Sequence, residues 1–321
     1  MNELLREIES IGIVPVISLK DAEKAEPLAK ALCEGGGIPC AEVTFRTDAC
    51  VESIRRMTKA CPEMLVGAGT VIMKGQAEEA AKAGAKFMVS PGFNHEVVEY
   101  GMGHNIAVIS GCSSPTDVEQ AMKYGLHLVK FFPAEAAGGV RMLKSLSGPY
   151  SGMKFMPTGG ITEANMGEYL ELKQVAACGG SFMVPENLIE KGDFITIREM
   201  AKKAVHEMLG FELAHIGLNM KNRDEAMLAA GMFESVFGFQ KSENDNSIFA
   251  GSYIEAMKSP FFGEKGHIAV RTNDAGRALS YFKRRGFSFR EESAVYKMDG
   301  TLGAVYFREE IGGFAVHLVQ K

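Results

Sequence analysis

Eight short apolar runs, each followed by an amphipathic stretch, fill the first 180 residues, and this alternation constrains the fold more than any other feature. The runs lie at 13–19, 40–46, 65–71, 87–91, 106–111, 128–133, 154–158 and 174–178. Between them, helical spacing predicts helices over 22–33, 50–60, 76–83, 115–124 and 140–146. Continuous apolar strands alternating with helices read as βα units around a parallel sheet. Eight in succession are the count of a (β/α)₈ barrel of the TIM type. A doubly wound α/β sheet is the runner-up, but the first βα turn lacks the GxGxxG loop that such sheets use for dinucleotides.

After a helix predicted over 196–209, the pattern changes. Residues 212–321 read as two similar units, each strand, helix, then three strands, and the first strands share His215-Ile216 and His267-Ile268. The chain therefore divides into a barrel over 1–209 and an α+β domain of paired βαβββ units over 212–321. At 321 residues it is long enough for two cores. A formal net charge of −5 with no basic run argues against nucleic acid or an anionic membrane as partner. No segment approaches the roughly 18 apolar residues of a membrane span. The opening Met1–Glu7 has neither the basic start nor the apolar core of a signal peptide. Six cysteines without a CxxC pair then read as small packing residues in a reducing cytoplasm.

Catalytic groups of such barrels sit at the C-terminal ends of the strands. Lys130 stands inside the sixth run, Leu128-Val129-Lys130-Phe131-Phe132-Pro133, where a lysine is out of place. Burial disfavours the charged form of a lysine and frees its amine to attack a carbonyl carbon. The alternative is a side chain whose stem is buried and whose head reaches water. In the second run the period of two puts Glu42, Thr44 and Arg46 on one face, as an acid/base and a carboxylate clamp or as a structural ion pair. Gly67-Ala68-Gly69-Thr70 ends the third run with glycines that let a ligand approach the backbone. Pro157-Thr158-Gly159-Gly160 and Cys178-Gly179-Gly180-Ser181 end the last two, where barrels bind phosphate through backbone N–H groups. Together they propose imine chemistry on a 2-keto acid with a phosphorylated far end.

The segments Glu42-Val43-Thr44-Phe45-Arg46-Thr47, Gly67-Ala68-Gly69-Thr70-Val71, Ser90-Pro91-Gly92, Lys130-Phe131-Phe132-Pro133-Ala134-Glu135, Pro157-Thr158-Gly159-Gly160-Ile161 and Gly179-Gly180-Ser181 occur in one order. In this, residues 5–205 resemble the class I 2-keto-3-deoxy-6-phosphogluconate (KDPG) aldolases, which also act on 2-keto-4-hydroxyglutarate (KHG). The resemblance implies a homotrimer of (β/α)₈ barrels that needs no cofactor and splits KDPG into pyruvate and glyceraldehyde 3-phosphate. It implies Lys130 as the Schiff-base lysine and Glu42 as the general acid/base. Arg46 and Thr70 would hold the pyruvate carboxylate, Pro91 and Phe132 wall the pocket, and Thr158, Gly159, Gly160 and Ser181 receive the phosphate. A sensor that binds a sugar-acid phosphate without turnover is the alternative, although binding alone needs no imine-forming lysine. Two departures stand out. Gly35-Gly36-Gly37 is one glycine longer than the family's usual turn, which predicts a bulge ahead of the second strand, and Phe182 replaces a frequent tryptophan.

The paired βαβββ units are similar to the vicinal-oxygen-chelate superfamily, in which divalent-metal ligands come from the first and last strands of each unit. The matching positions are His215, Glu255, His267 and His317. Three imidazoles and a carboxylate suit Zn, Ni, Fe or Mn. The last position is histidine where glyoxalases carry glutamate. A metal-free module for a small ligand or for subunit contacts is the other reading, and a second metalloenzyme activity the third.

Overall fold

The apolar runs become parallel strands: β1 (Ile13–Ile17), β2 (Cys40–Thr44), β3 (Leu65–Gly69), β4 (Phe87–Val89), β5 (Ala107–Ile109), β6 (Gly111–Cys112), β7 (Leu128–Phe131), β8 (Lys154–Pro157) and β9 (Cys178–Gly180). β1 to β5 pair in sequence order, and β5 and β6 are one run interrupted at Ser110. β6, β7 and β8 pair next, bridges Phe155–Val175 and Thr158–Gly179 lead to β9, and β9 pairs with β1. The ladder thus returns to its start as a (β/α)₈-type barrel. The computed structural model describes residues 3–321 and contains two compact units, one running to Met208 and the other spanning Leu209–Lys321.

The strands are shorter than the apolar runs, and two of the differences bear on the site. The strand expected over 40–46 ends at Thr44, and the eighth lies at Cys178–Gly180 rather than 174–178. Gly179 and Gly180 are therefore strand residues and not the turn that follows. A Cβ at Gly179 would stand 2.3 Å from Thr158 Oγ1, so a side chain there would collide with the neighbouring strand.

Helix Cys50–Ala60 forms where its spacing predicts. Helix Pro115–Lys123 begins at a capping box, in which Ser114 Oγ accepts from Asp117 N–H and the Asp117 carboxylate accepts from Ser114 N–H. The helix expected over 22–33 is broken into a 3₁₀ turn at Ala22–Lys24, an α-helix at Ala25–Lys30 and a π turn at Ala31–Gly36. A π turn takes up an extra residue. The length predicted to bulge at Gly35-Gly36-Gly37 is absorbed there, before Gly37 at φ 76° reverses the chain. The closing helix is Phe194–Leu209.

The second unit is one eight-stranded sheet built twice on the same plan. Its strands are β10 (Glu212–Asn219), β11 (Lys241–Glu243), β12 (Ser247–Ala250), β13 (Ile254–Met257), β14 (Gly266–Thr272), β15 (Phe289–Tyr296), β16 (Leu302–Ile311) and β17 (Phe314–Gln320). Their order is β11-β12-β13-β10-β14-β17-β16-β15. Each half has its first strand innermost and parallel to its last, and the first strands meet antiparallel. Helices Arg223–Phe237 and Ala275–Arg284 occupy equivalent places in the two halves. Ala226 and Ala230 of the former pack on Ile248, Ala250 and Ala256. Among the described residues no helix is long and apolar enough to cross a membrane.

Candidate active site and a second cluster of donors

Lys130 on β7 and Glu42 on β2 project inside the ring and meet there, Nζ lying 3.0 Å from Oε1 and 3.3 Å from Oε2. The lysine is 5% exposed and the glutamate 0%, so this ion pair is shielded from bulk water. The lysine head does not snorkel. Glu42 takes Lys130 as its partner, and Arg46, beyond the end of β2, is exposed. Thr44, whose hydroxyl donates to Ile17 O, ends the strand, so the strand period that put Arg46 on the face of Glu42 stops there, and Thr44 and Arg46 line a cavity that Glu42 does not.

The β3 glycines make room for protein rather than for a ligand. A Cβ at Gly69 would lie 2.3 Å from Glu42 Oε1, and one at Gly67 would strike the Phe87 ring. Thr70, directly after Gly69, holds a φ of 55°, an unusual conformation for a β-branched residue and one that recurs at functional sites. Pro91 approaches from the other side. Its carbonyl would lie 2.1 Å from a Cβ at Gly111, the strand partner of Lys130. Lys130 Nζ sits 5.3 Å from the centroid of the Phe132 ring.

Phe132 also lines a cavity of about 270 Å³ whose wall includes Thr44, Arg46, Thr158, Gly159, Gly160 and Ser181. Six of the ten sequence-predicted residues thus share one concave surface, and Lys130, beside Phe132, lies close to it; Glu42, Thr70 and Pro91 are not in its wall. The Gly159-Gly160 loop has positive φ at both residues and both carbonyls tied back, to Glu135 N–H and to Asn165 Nδ2. What this loop can offer the cavity is its N–H groups, the donors an anion needs. Glu135, which the sequence reading gave no role, accepts from the buried Tyr169 hydroxyl beneath the loop. Ser18 lines the same wall and carried no local signal.

The second unit gathers the other four predicted residues. Glu255, Gly217 and His267 form one row across β13, β10 and β14, and His215, Ala269 and His317 form the next across β10, β14 and β17. Neighbours in a row, and residues two apart along a strand, share a sheet face. The small side chains at 217 and 269 leave space, since a Cβ at Gly217 would lie 2.0 Å from the His267 ring. Glu255 Oε2 is 3.0 Å from Nε2 of both His215 and His267, and those two nitrogens are 3.2 Å apart. One donor nitrogen from each of the three histidines falls within 4.8 Å of the others. Ser247, absent from the sequence reading, donates to Glu255 Oε1 at 2.6 Å, and Tyr306 stacks on His317 with centroids 4.3 Å apart.

Burial alone would raise the Glu255 carboxyl, but hydrogen bonds from His215, His267 and Ser247 outweigh it and hold the group below the usual carboxylate range. Burial pushes His317 down to about 3, with His267 and His215 adding to the effect, so its ring is neutral and keeps a lone pair. Neither His317 nitrogen, nor Nδ1 of His267, has a hydrogen-bond partner. Three imidazoles, each with a nitrogen within 4.8 Å of the others, the unpartnered His317 among them, stand with an ionised carboxylate as a donor set that fits a divalent metal.

Comparison with known proteins bears on the first unit. The family described as "Aldolase: KDPG and KHG aldolase" matches residues 3–200. The 2-dehydro-3-deoxy-phosphogluconate aldolase of Treponema pallidum is 44% identical over 205 residues, covering 64% of this chain and 97% of that protein. The KHG/KDPG aldolase of Escherichia coli K12 is 45% identical over 193 residues, 60% of this chain and 90% of the relative. Among solved structures, the KDPG aldolase of Legionella pneumophila, with pyruvate captured as a covalent carbinolamine, superposes at a TM-score of 0.60 and 40% identity, covering 62% of this chain and 97% of that one. The chain belongs to the KDPG and KHG aldolase family and is a carbon–carbon lyase.

Proposed function

We propose that the barrel cleaves KDPG to pyruvate and glyceraldehyde 3-phosphate, and KHG to pyruvate and glyoxylate, through an imine on Lys130. The observation that carries this is the buried contact of Lys130 Nζ with Glu42, beside Phe132, which together with Arg46 and the Gly159-Gly160 loop walls a cavity. Nζ attacks the C2 carbonyl carbon, and loss of water gives the protonated imine. Glu42, 3.0 Å away, is the acceptor nearest the amine and takes the C4 hydroxyl proton as the C3–C4 bond breaks. The bonding pair moves into the imine, the phosphorylated aldehyde leaves, and Glu42 returns a proton to C3. Hydrolysis then frees pyruvate and restores the amine.

Arg46 and Thr70 hold the keto-acid carboxylate, and Pro91 and Phe132 confine the three-carbon fragment. Thr158, Gly159, Gly160 and Ser181 take the phosphate. Pyruvate release from KDPG, read with lactate dehydrogenase, tests the reading. Tight binding of KDPG without pyruvate formation would leave a sensor in its place. The homotrimer implied by the resemblance belongs to the same proposal and is read by sedimentation. A reducing cytoplasm belongs to it as well, supported by six free thiols.

The second unit carries its own proposal, because four donors share one sheet face. His215, Glu255, His267 and His317 hold a divalent metal, with Ser247 orienting the carboxylate, in a domain of the vicinal-oxygen-chelate type. A metal so held supplies a Lewis acid to an oxygen ligand. Protein purified without added metal should contain an equivalent that His215→Ala and His267→Ala variants lack. Equal low content in all three would remove the proposal.

A further inference from the structure

Two of the six cysteines do more than fill space. Cys33 sits in the π turn Ala31–Gly36, and Cys61 caps helix Cys50–Ala60, where a turn closed by Met64 N–H to Cys61 O carries Glu63 back over the thiols. Cys33 Sγ lies 3.2 Å from Glu63 Oε1, and the two sulfurs and a Glu63 oxygen all lie within 4.8 Å of one another. Cys61 is buried, Cys33 half-buried and Glu63 exposed, so the sulfurs are sheltered while the carboxylate side faces solvent.

We infer that Cys33, Cys61 and Glu63 form a site for a thiophilic divalent cation of the Zn²⁺ type on the barrel unit, apart from both sites described above. Two thiolates and a carboxylate are three ligands of a tetrahedral centre, and a water on the exposed side completes the fourth. The surrounding charge favours a cation. Glu34 and Glu63 act on Cys61 from the acidic side, and the basic Lys30 that acts on it too is ion-paired with Glu26. Binding displaces one proton from each thiol as two metal–sulfur bonds form. The π turn fits a local function, since such turns occur frequently at functional sites.

The test separates this site from the histidine cluster by its sulfur. The full chain, reduced and stripped with a chelator, is titrated with Co²⁺ while the near-ultraviolet sulfur-to-cobalt charge-transfer band is followed. The inference expects that band in the intact chain and in His215→Ala/His267→Ala. It expects loss of the band in Cys33→Ser and Cys61→Ser, with aldolase turnover in both variants equal to the parent as proof of folding. Glu63→Gln should weaken Zn²⁺ binding, read by competition, by about 10-fold or more, and Zn²⁺ should protect Cys33 from alkylation. Absence of the charge-transfer band, its survival in both serine variants, or oxidation of the pair to a disulfide in preference to metal binding would each overturn the inference.

Discussion

Each unit of this chain centres on one carboxylate facing nitrogen, fully buried in the barrel and half-buried in the second unit, and the two arrangements suit different chemistry. In the barrel, Glu42 meets a single amine, which itself can become a nucleophile. In the second unit, Glu255 meets two imidazoles, with a third nearby whose nitrogens have no partner, so the group as a whole is a set of lone pairs. One carboxylate and one amine make a proton-transfer couple. One carboxylate and three imidazoles are a donor set of the kind that suits a cation. The difference lies in the register: strands β2 and β7 bring one pair together across the ring, whereas two adjacent rows on one sheet face bring four donors together.

That contrast can be broken most severely at the lysine. Lys130→Met should lower turnover by at least about 10⁴-fold, since losing a nucleophile removes the covalent route. It also leaves Glu42 buried without its partner, which should cost about 3–5 kcal/mol in denaturant unfolding. Turnover within 10-fold of the parent would dissolve the proposed division of labour. The mirror experiment is His267→Ala, where metal affinity should fall more than about 100-fold, beyond the loss of a mere outer contact. Aldolase turnover should stay unchanged, and a parallel fall would erase the distinction between the two centres.

A finer probe is Ser247→Ala, which removes only the hydroxyl that orients Glu255. Isothermal titration should record a loss of about 10-fold in metal affinity. The smallest effect lies at a purely structural carboxylate. Asp117 is lowered because hydrogen bonds from Ser113 and Ser114 outweigh its partial burial, which alone would raise it. A lowered folded pKa contributes stability above the ordinary aspartate value of about 3.9, and that contribution is lost as pH falls through the folded value. Ser114→Ala should cost about 1 kcal/mol at neutral pH. Thermal scans of parent and variant should converge in acid, and a constant gap would place the cap's energy elsewhere.

The two regions also differ in how far the sequence discloses them. The barrel's alternation and the Lys130–Glu42 pair are legible because each strand is a continuous apolar run and a lysine or glutamate within one breaks the pattern. Glycine misled in two places. Gly179-Gly180 reads as a turn but is strand, because the demand on it comes from Thr158 across the ladder. Gly67 and Gly69 read as room for a ligand, yet Phe87 and Glu42 fill it. In the second unit the four donor positions follow from the superfamily resemblance, with strand order and parity in support. Ser247 does not, since its role depends on β12 lying beside β13. Cys33 and Cys61 are illegible for the same reason, being close only once the π turn and the helix end are packed.

The central claim is that Lys130 is the nucleophile, and borohydride reduction in the presence of pyruvate tests it most directly. The intact chain should gain the mass of one reduced pyruvate adduct, mapped to the peptide containing Lys130, and Lys130→Met should gain none. An intact chain without an adduct, or one modified at another lysine, would contradict the account.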